Sequence, residues 1–276
     1  MSFVQDPDAM TGGRAECPPV AADIVYQRLS ALAYEHEQIA RYRVAELGYK
    51  FIEHIHDETT GADAIVVCSD FEVVVAFRGT QKNYADIITD LKFKKTNFMN
   101  SGTGKELLVH RGFDEQWSAI RKRVFMVINA AAAGRRSIKA TGHSLGGALA
   151  VLACLEWRLI NTCITFGAPR VAEPGIGQAM RELGVRHRRY VYAADIVPIV
   201  PLMTMNYRHD CPPIYLTRAG RAIRDCPLWR ESLGRARALL TVKWRAGWTV
   251  CPVPARMFTD HRIGEYGAAM ARTSWK

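Results

Sequence analysis

The sequence predicts an α/β chain built on a largely parallel sheet with helices on both faces, and three observations carry that expectation. A strand-like run, Ser137-Ile138-Lys139-Ala140, leads through a glycine-rich turn into an apolar run of helix formers from Ala148 to Leu155. Strand and helix patterns then alternate as far as Pro198, the rhythm of parallel strands joined by crossover helices. With 276 residues and 49% hydrophobic content, the chain can bury the core of one such domain.

Residues 1–20 contain Pro, Gly and Asp without periodicity, so they are expected to form a flexible tail ahead of a single domain over 21–276. From Ala21 to Glu46, apolar residues recur at helical spacing through Ile24, Leu29, Leu32, Ala33 and Ile39. Gly48 supplies the stop. Three strand-like runs follow at Tyr49 to His56, Ala64 to Cys68 and Phe71 to Phe77. His54 and His56 fall on one face of the first, a pattern that suits a metal; without a second ligand cluster, exposed hairpin histidines are the plainer reading.

The third strand runs into Arg78-Gly79-Thr80, where a free backbone N–H and a hydroxyl would stand at the strand end. Residues 81–104 mix Ile87, Ile88, Leu91, Phe93 and Phe98 with four lysines. That composition suits a mobile amphipathic cover or, equally, a surface helix packed by its apolar face. Leu107 to Phe113 reads as a short strand and turn, followed by a helix to about Ala133.

The next unit carries the chemistry. In Gly142-His143-Ser144-Leu145-Gly146-Gly147, a serine stands between strand and helix on a sharp turn whose glycines keep Cβ atoms out of the close approach. Leu145 opens the helix, so its N–H has no intrahelical partner and can face an oxyanion. Thr162 to Arg170 is another buried strand and turn, a helix is expected from Ile176 to Leu183, and His187 to Pro198 forms the last strand, with Asp195 just past its end. In open parallel sheets, functional groups gather beyond the carboxyl ends of the strands.

A serine nucleophile needs a base, and the base an orienting carboxylate. Of eight histidines, His143 adjoins the serine and would point away from it, and His36 sits in the outer helix. His261, in Met257-Phe258-Thr259-Asp260-His261, offers a loop imidazole after the last strand. The order Ser144, Asp195, His261 is that of a hydrolase triad in which the acid comes second.

Taken together the motifs resemble the class 3 lipase family, the fungal-type triacylglycerol lipases and their bacterial and plant relatives. The likeness runs from about Ala31 to Tyr266 through Val75 to Thr80, His110 to Phe113, Gly142 to Gly147, Phe166 to Arg170, Asp195 to Pro198, and Asp260-His261 with Tyr266 behind. It implies an α/β-hydrolase fold and hydrolysis of carboxylic esters, foremost acylglycerols, through an acyl-enzyme. It assigns Ser144, Asp195 and His261 to the triad, Thr80 and Leu145 to the oxyanion hole, residues 81–104 to a lid, and Asp90 and His143 to supporting positions. A phospholipase or short-chain esterase on the same triad, and a catalytically silent lipid-binding protein, are the alternatives. This chain has Asp86-Ile87 where many family lids pair aspartate with tryptophan, so the resemblance does not decide interfacial activation. The mechanism requires no metal and no organic cofactor.

The formal charge of +10 is concentrated late, with twelve Lys/Arg against four Asp/Glu from Arg218 onward. Over 226–252, Trp229, Leu233, Ala236, Leu240 and Trp244 recur at helical spacing among basic residues. Such a stretch either packs on the core or meets an anionic membrane surface. No recognised motif points to nucleic acid. Seven scattered cysteines, the absence of an apolar leader and of any run near the roughly 20 residues of a membrane span favour a cytoplasmic protein, with export by a route needing no cleaved peptide left open.

Overall fold

Strand propensity is strongest between Asp63 and Phe77, where two β-branched runs are separated only by the turn around Ser69 and Asp70, and the chain duly folds into a tight hairpin there. The computed structural model describes residues 20–80, 94–100, 103–133, 137–224 and 255–273. The expected N-terminal tail to residue 19, residues 81–93 of the lid span with Asp90, and the basic stretch 226–252 lie outside the described residues.

In chain order the described elements are α1 (Val20–Leu32), α2 (Glu37–Glu46), β1 (Lys50–His56), β2 (Asp63–Cys68), β3 (Glu72–Phe77), β4 (Lys95–Asn100), β5 (Lys105–His110), α3 (Arg111–Ala131), β6 (Ser137–His143), α4 (Leu145–Glu156), β7 (Ile160–Phe166), α5 (Ile176–Glu182), β8 (Arg186–Tyr192), β9 (Ile214–Leu216), β10 (Ala222–Ile223), α6 (Ala255–Thr259) and α7 (Ile263–Arg272). The main sheet runs β1-β2-β3-β6-β7-β8-β9-β10. Its middle, from β3 to β9, is parallel, and antiparallel strands close both edges.

Alternation along β3 divides the core. Val73, Val75 and Phe77 face a layer with Trp117, Ile120 and Val124 of α3 and Leu149 and Leu152 of α4. Val74 and Ala76 face the other layer, with Leu29 of α1, Val44 of α2 and Tyr266 and Ala269 of α7. Side chains on both faces of these strands are thus out of water, which is why the parallel strands read as continuous apolar runs. The first and last helices dock on each other: Gln27 donates from Nε2 to the Ile263 carbonyl at 2.9 Å. Among the described residues, no helix is long and apolar enough to cross a membrane.

Two expectations change. The single outer helix expected from Ala21 to Glu46 is two helices, parted at residues 33–36, where Tyr34 turns inward to meet His143 at 2.8 Å. Part of the span expected to be a lid is a strand: β4 pairs antiparallel with β5, Lys95 opposite His110, in a two-stranded ribbon apart from the main sheet. Phe98 of β4 is buried against the core, which fixes that half of the span.

Candidate active site

Ser144 is set by the junction of β6 and α4. The strand ends at His143, the helix starts at Leu145, and Ser144 between them holds φ 57° and ψ −128°. A residue bearing Cβ rarely adopts that conformation, and it persists because its surroundings over-determine it. The Ser144 N–H donates to Phe166 O at 3.0 Å, and Gly147 N–H donates back to Ser144 O at 2.9 Å. The end of β3 passes close beside this turn. A Cβ at Gly146 would stand 2.1 Å from the Phe77 carbonyl oxygen, and one at Gly79 only 3.1 Å from Ser144 Cβ, so glycine alone permits both approaches. Half-buried Thr80 therefore follows directly on a residue in contact with the serine. Leu145, as the first residue of α4, brings a helix-terminal N–H to the same place.

Past the end of β8 the chain turns through Ala193, at φ 45°, and presents Asp195, fully buried. Its carboxylate is held from three sides. Oδ1 accepts Val197 N–H at 2.9 Å, Oδ2 accepts the Tyr266 hydroxyl at 2.6 Å, and His261 Nδ1 lies 3.0 and 2.8 Å from the two oxygens. A carboxylate only accepts, so Nδ1 carries the proton and the neutral ring keeps its lone pair on Nε2. His261 is itself fully buried.

His143 lies under that imidazole, ring centroids 4.6 Å apart. Its Nε2 is 2.6 Å from the His261 carbonyl oxygen, which can only accept, so the proton sits on Nε2 and Nδ1 accepts from the Tyr34 hydroxyl. Burial, followed by the neighbouring His261, pushes its pKa well below the ordinary histidine value. The residue that sequence order points away from the serine thus supports the backbone of the imidazole at 261.

The structure brings Asp195, His261 and His143 into contact, with Ser144 buried next to His143 in the chain. Sequence reading missed three supporting residues. Asp260 is buried, and its Oδ2 accepts Ala194 N–H at 3.0 Å and pairs with Arg218, tying the histidine loop to the aspartate loop. Tyr34 reaches the site from the break between α1 and α2. Asp63, buried at the start of β2, accepts from Arg78 at 2.8 Å and so anchors the approach to Gly79 and Thr80. His54 and His56 also converge on Asp63, at 2.9 and 3.0 Å, so the two-histidine face has a carboxylate partner. Only the Asp260-His261 adjacency offered a hint; the other contacts join residues with no sequence signature.

Comparison with known proteins bears on the same region. Residues 74–205 match the family described as lipase (class 3). Secreted mono- and diacylglycerol lipase 1 of Fusarium solani is 32% identical over 165 residues, covering 57% of this chain and 48% of that protein. The lipase of Rhizopus niveus is 33% identical over 147 residues, covering 50% of this chain and 36% of that protein. The chain thus spans about half or less of the length of these two relatives. Rhizomucor miehei lipase, in its propeptide complex, shares the fold with a TM-score of 0.64 at 23% identity, over 71% of this chain and 68% of that one. The α/β-hydrolase architecture is therefore observed.

The cytoplasmic expectation is overturned, because matched relatives are secreted lipases, which points outside the cell. Part of that expectation rested on unpaired cysteines. Cys68, Cys154 and Cys163 are free and buried, and burial shields a thiol whatever the redox state outside.

Proposed function

We infer that this chain, whose residues 74–205 match the class 3 lipase family, is a serine hydrolase of carboxylic esters whose substrate class is the acylglycerols. The observation that carries this reading is the buried pair of Asp195 and His261, oriented with Nδ1 toward the carboxylate, at the sheet rim that also holds the strained Ser144.

The chemistry follows from those positions. His261 Nε2 takes the hydroxyl proton as Ser144 Oγ attacks the ester carbonyl, and Asp195 stabilises the imidazolium that results. Negative charge gathers on the former carbonyl oxygen, where the N–H groups of Thr80 and Leu145 receive it; each such donor is worth about 3 kcal/mol of barrier. Collapse of the tetrahedral species expels the alcohol, which takes the proton from His261, and leaves an acyl group on Ser144. Water activated by the same imidazole releases the acid and restores the serine. Tyr266, donating to Asp195 Oδ2, and His143, donating to the His261 carbonyl, hold the pair in register throughout.

Contact with an anionic membrane through the basic, tryptophan-bearing stretch 226–252 belongs to the same proposal, supported by its sequence pattern. Turnover of triacylglycerol, diacylglycerol, phospholipid and short-chain ester in parallel tests the reading, together with fluorophosphonate labelling of the wild type and of Ser144→Ala. Labelling and turnover are expected to vanish together in the variant, and acylglycerols to lead the panel. Labelling that survives the substitution removes Ser144 as nucleophile, and a lead by phospholipid reassigns the substrate.

A further inference from the structure

At the start of β8, about 17 Å by strand rise from its catalytic end at Tyr192, a second cluster of chemically capable groups faces inward. His187, Asp210 and Cys211 each bring one ligand atom, a nitrogen, a carboxylate oxygen and a sulfur, all within 4.8 Å of one another. The side chains of His187 and Asp210 are only 2% and 4% exposed, and Cys211 is half-buried. We infer that these three side chains form a binding site for one divalent metal ion of the zinc type, separate from the residues of the triad.

The donor set has the right chemistry. One imidazole, one carboxylate and one thiolate match the borderline-soft, four-coordinate preference of Zn²⁺, with water in the fourth position. The imidazole is already oriented for it. His187 Nε2 lies 2.9 Å from Thr165 Oγ1, which can accept its proton, while Nδ1 points at Asp210 Oδ2 from 2.8 Å. A metal-bound histidine normally donates its second ring N–H to such an outer acceptor. Ligand atoms of a tetrahedral ion with bonds of about 2.0–2.1 Å stand roughly 3.3 Å apart, so the pair must open by about half an ångström.

Any proton on the ligating nitrogen or sulfur goes to solvent as the ion binds. The ion would join β8 to the loop that leads into β9, a loop also tied by His209 to Pro198 O at 2.7 Å and by Arg189 to Cys211 O at 3.2 Å.

The test uses the full chain with Cys17, Cys226 and Cys251 changed to serine, stripped with chelator and titrated with Zn²⁺ by calorimetry and with Co²⁺ by absorbance. One ion per chain, a thiolate-to-cobalt charge-transfer band and a raised thermal midpoint are expected. Cys211→Ser should lose the band, Cys211→Ser and Asp210→Asn should each weaken binding by more than about tenfold, and Thr165→Val should weaken it by about 10- to 100-fold. Cys211→Ser, at a half-buried position, keeps the inference testable if Asp210→Asn does not fold. Failure of the parent protein to take up one equivalent, or unchanged binding in Cys211→Ser, overturns the site.

Discussion

Relaxing the backbone at the nucleophile should make the protein more stable while leaving it inactive. Ser144 holds φ 57° and ψ −128°, a region that costs a residue with Cβ about 1–3 kcal/mol. Ser144→Ala removes the hydroxyl and keeps Cβ, so it is the reference in which strain persists and chemistry is gone. Ser144→Gly removes Cβ as well and releases the strain, but an unfolded chain with glycine is freer by about 0.5–1 kcal/mol. The difference leaves Ser144→Gly more stable than Ser144→Ala by about 0.5–2 kcal/mol, or roughly 2–6 °C in a domain of this size. Urea unfolding followed by tryptophan fluorescence, with both variants assayed on a chromogenic ester, measures it. Equal midpoints, or a less stable glycine variant, would refute the claim that the turn stores strain.

Other perturbations have equally definite outcomes. Asp195→Asn should favour the wrong His261 tautomer and lower kcat about 10⁴-fold with the fold intact, read by steady-state kinetics beside circular dichroism. Gly167→Ala would place a methyl 2.7 Å from Asp195 Oδ2 and 3.0 Å from His261 Nδ1 at φ +60°, so both turnover and thermal midpoint should drop. Trp117→Ala opens the layer under β3 and strips Glu156 of an N–H donor at 2.5 Å, costing about 3–5 kcal/mol by chemical denaturation. His110 is held down to about 4, chiefly by burial. Its unfolded form binds a proton that the folded form refuses, so stability falls as pH drops from about 6.5 toward 4. His143 and His209, also depressed, act with the same sign, whereas His187, raised, contributes stability that is lost as pH rises through its elevated pKa. His110→Phe, which keeps a ring against Phe113, should flatten the acid side of a stability profile taken by urea titration.

Legibility in the sequence followed the range of the interactions. The strand, turn and helix around Ser144 are a local pattern of glycine spacing and apolar runs, and β6 and α4 stand where that pattern puts them. Asp195 and His261 were legible through their order and strand-end positions, although 66 residues separate them. The break at residues 33–36 was not, because the apolar spacing continues through it and its cause is the contact of Tyr34 with a ring 109 positions away. The same holds for Asp260 with Arg218 and Ala194, and for Asp210 with His187: each is an ordinary polar residue until the sheet brings its partner near. β4 escaped notice since its lysine, threonine and two asparagines mask a strand buried chiefly through Phe98.

The docking of α7 on α1 has a bearing on biosynthesis. Every described strand of the main sheet precedes residue 224, so a nascent chain can assemble that scaffold with the serine and the carboxylate in place and still lack a base. The imidazole at 261 arrives with the segment that seats Ile263 against Gln27, a residue made 236 positions earlier. Competence thus waits for the two sequence extremes of the described structure to meet, and an intermediate stalled before that closure holds a nucleophile with nothing to ionise it.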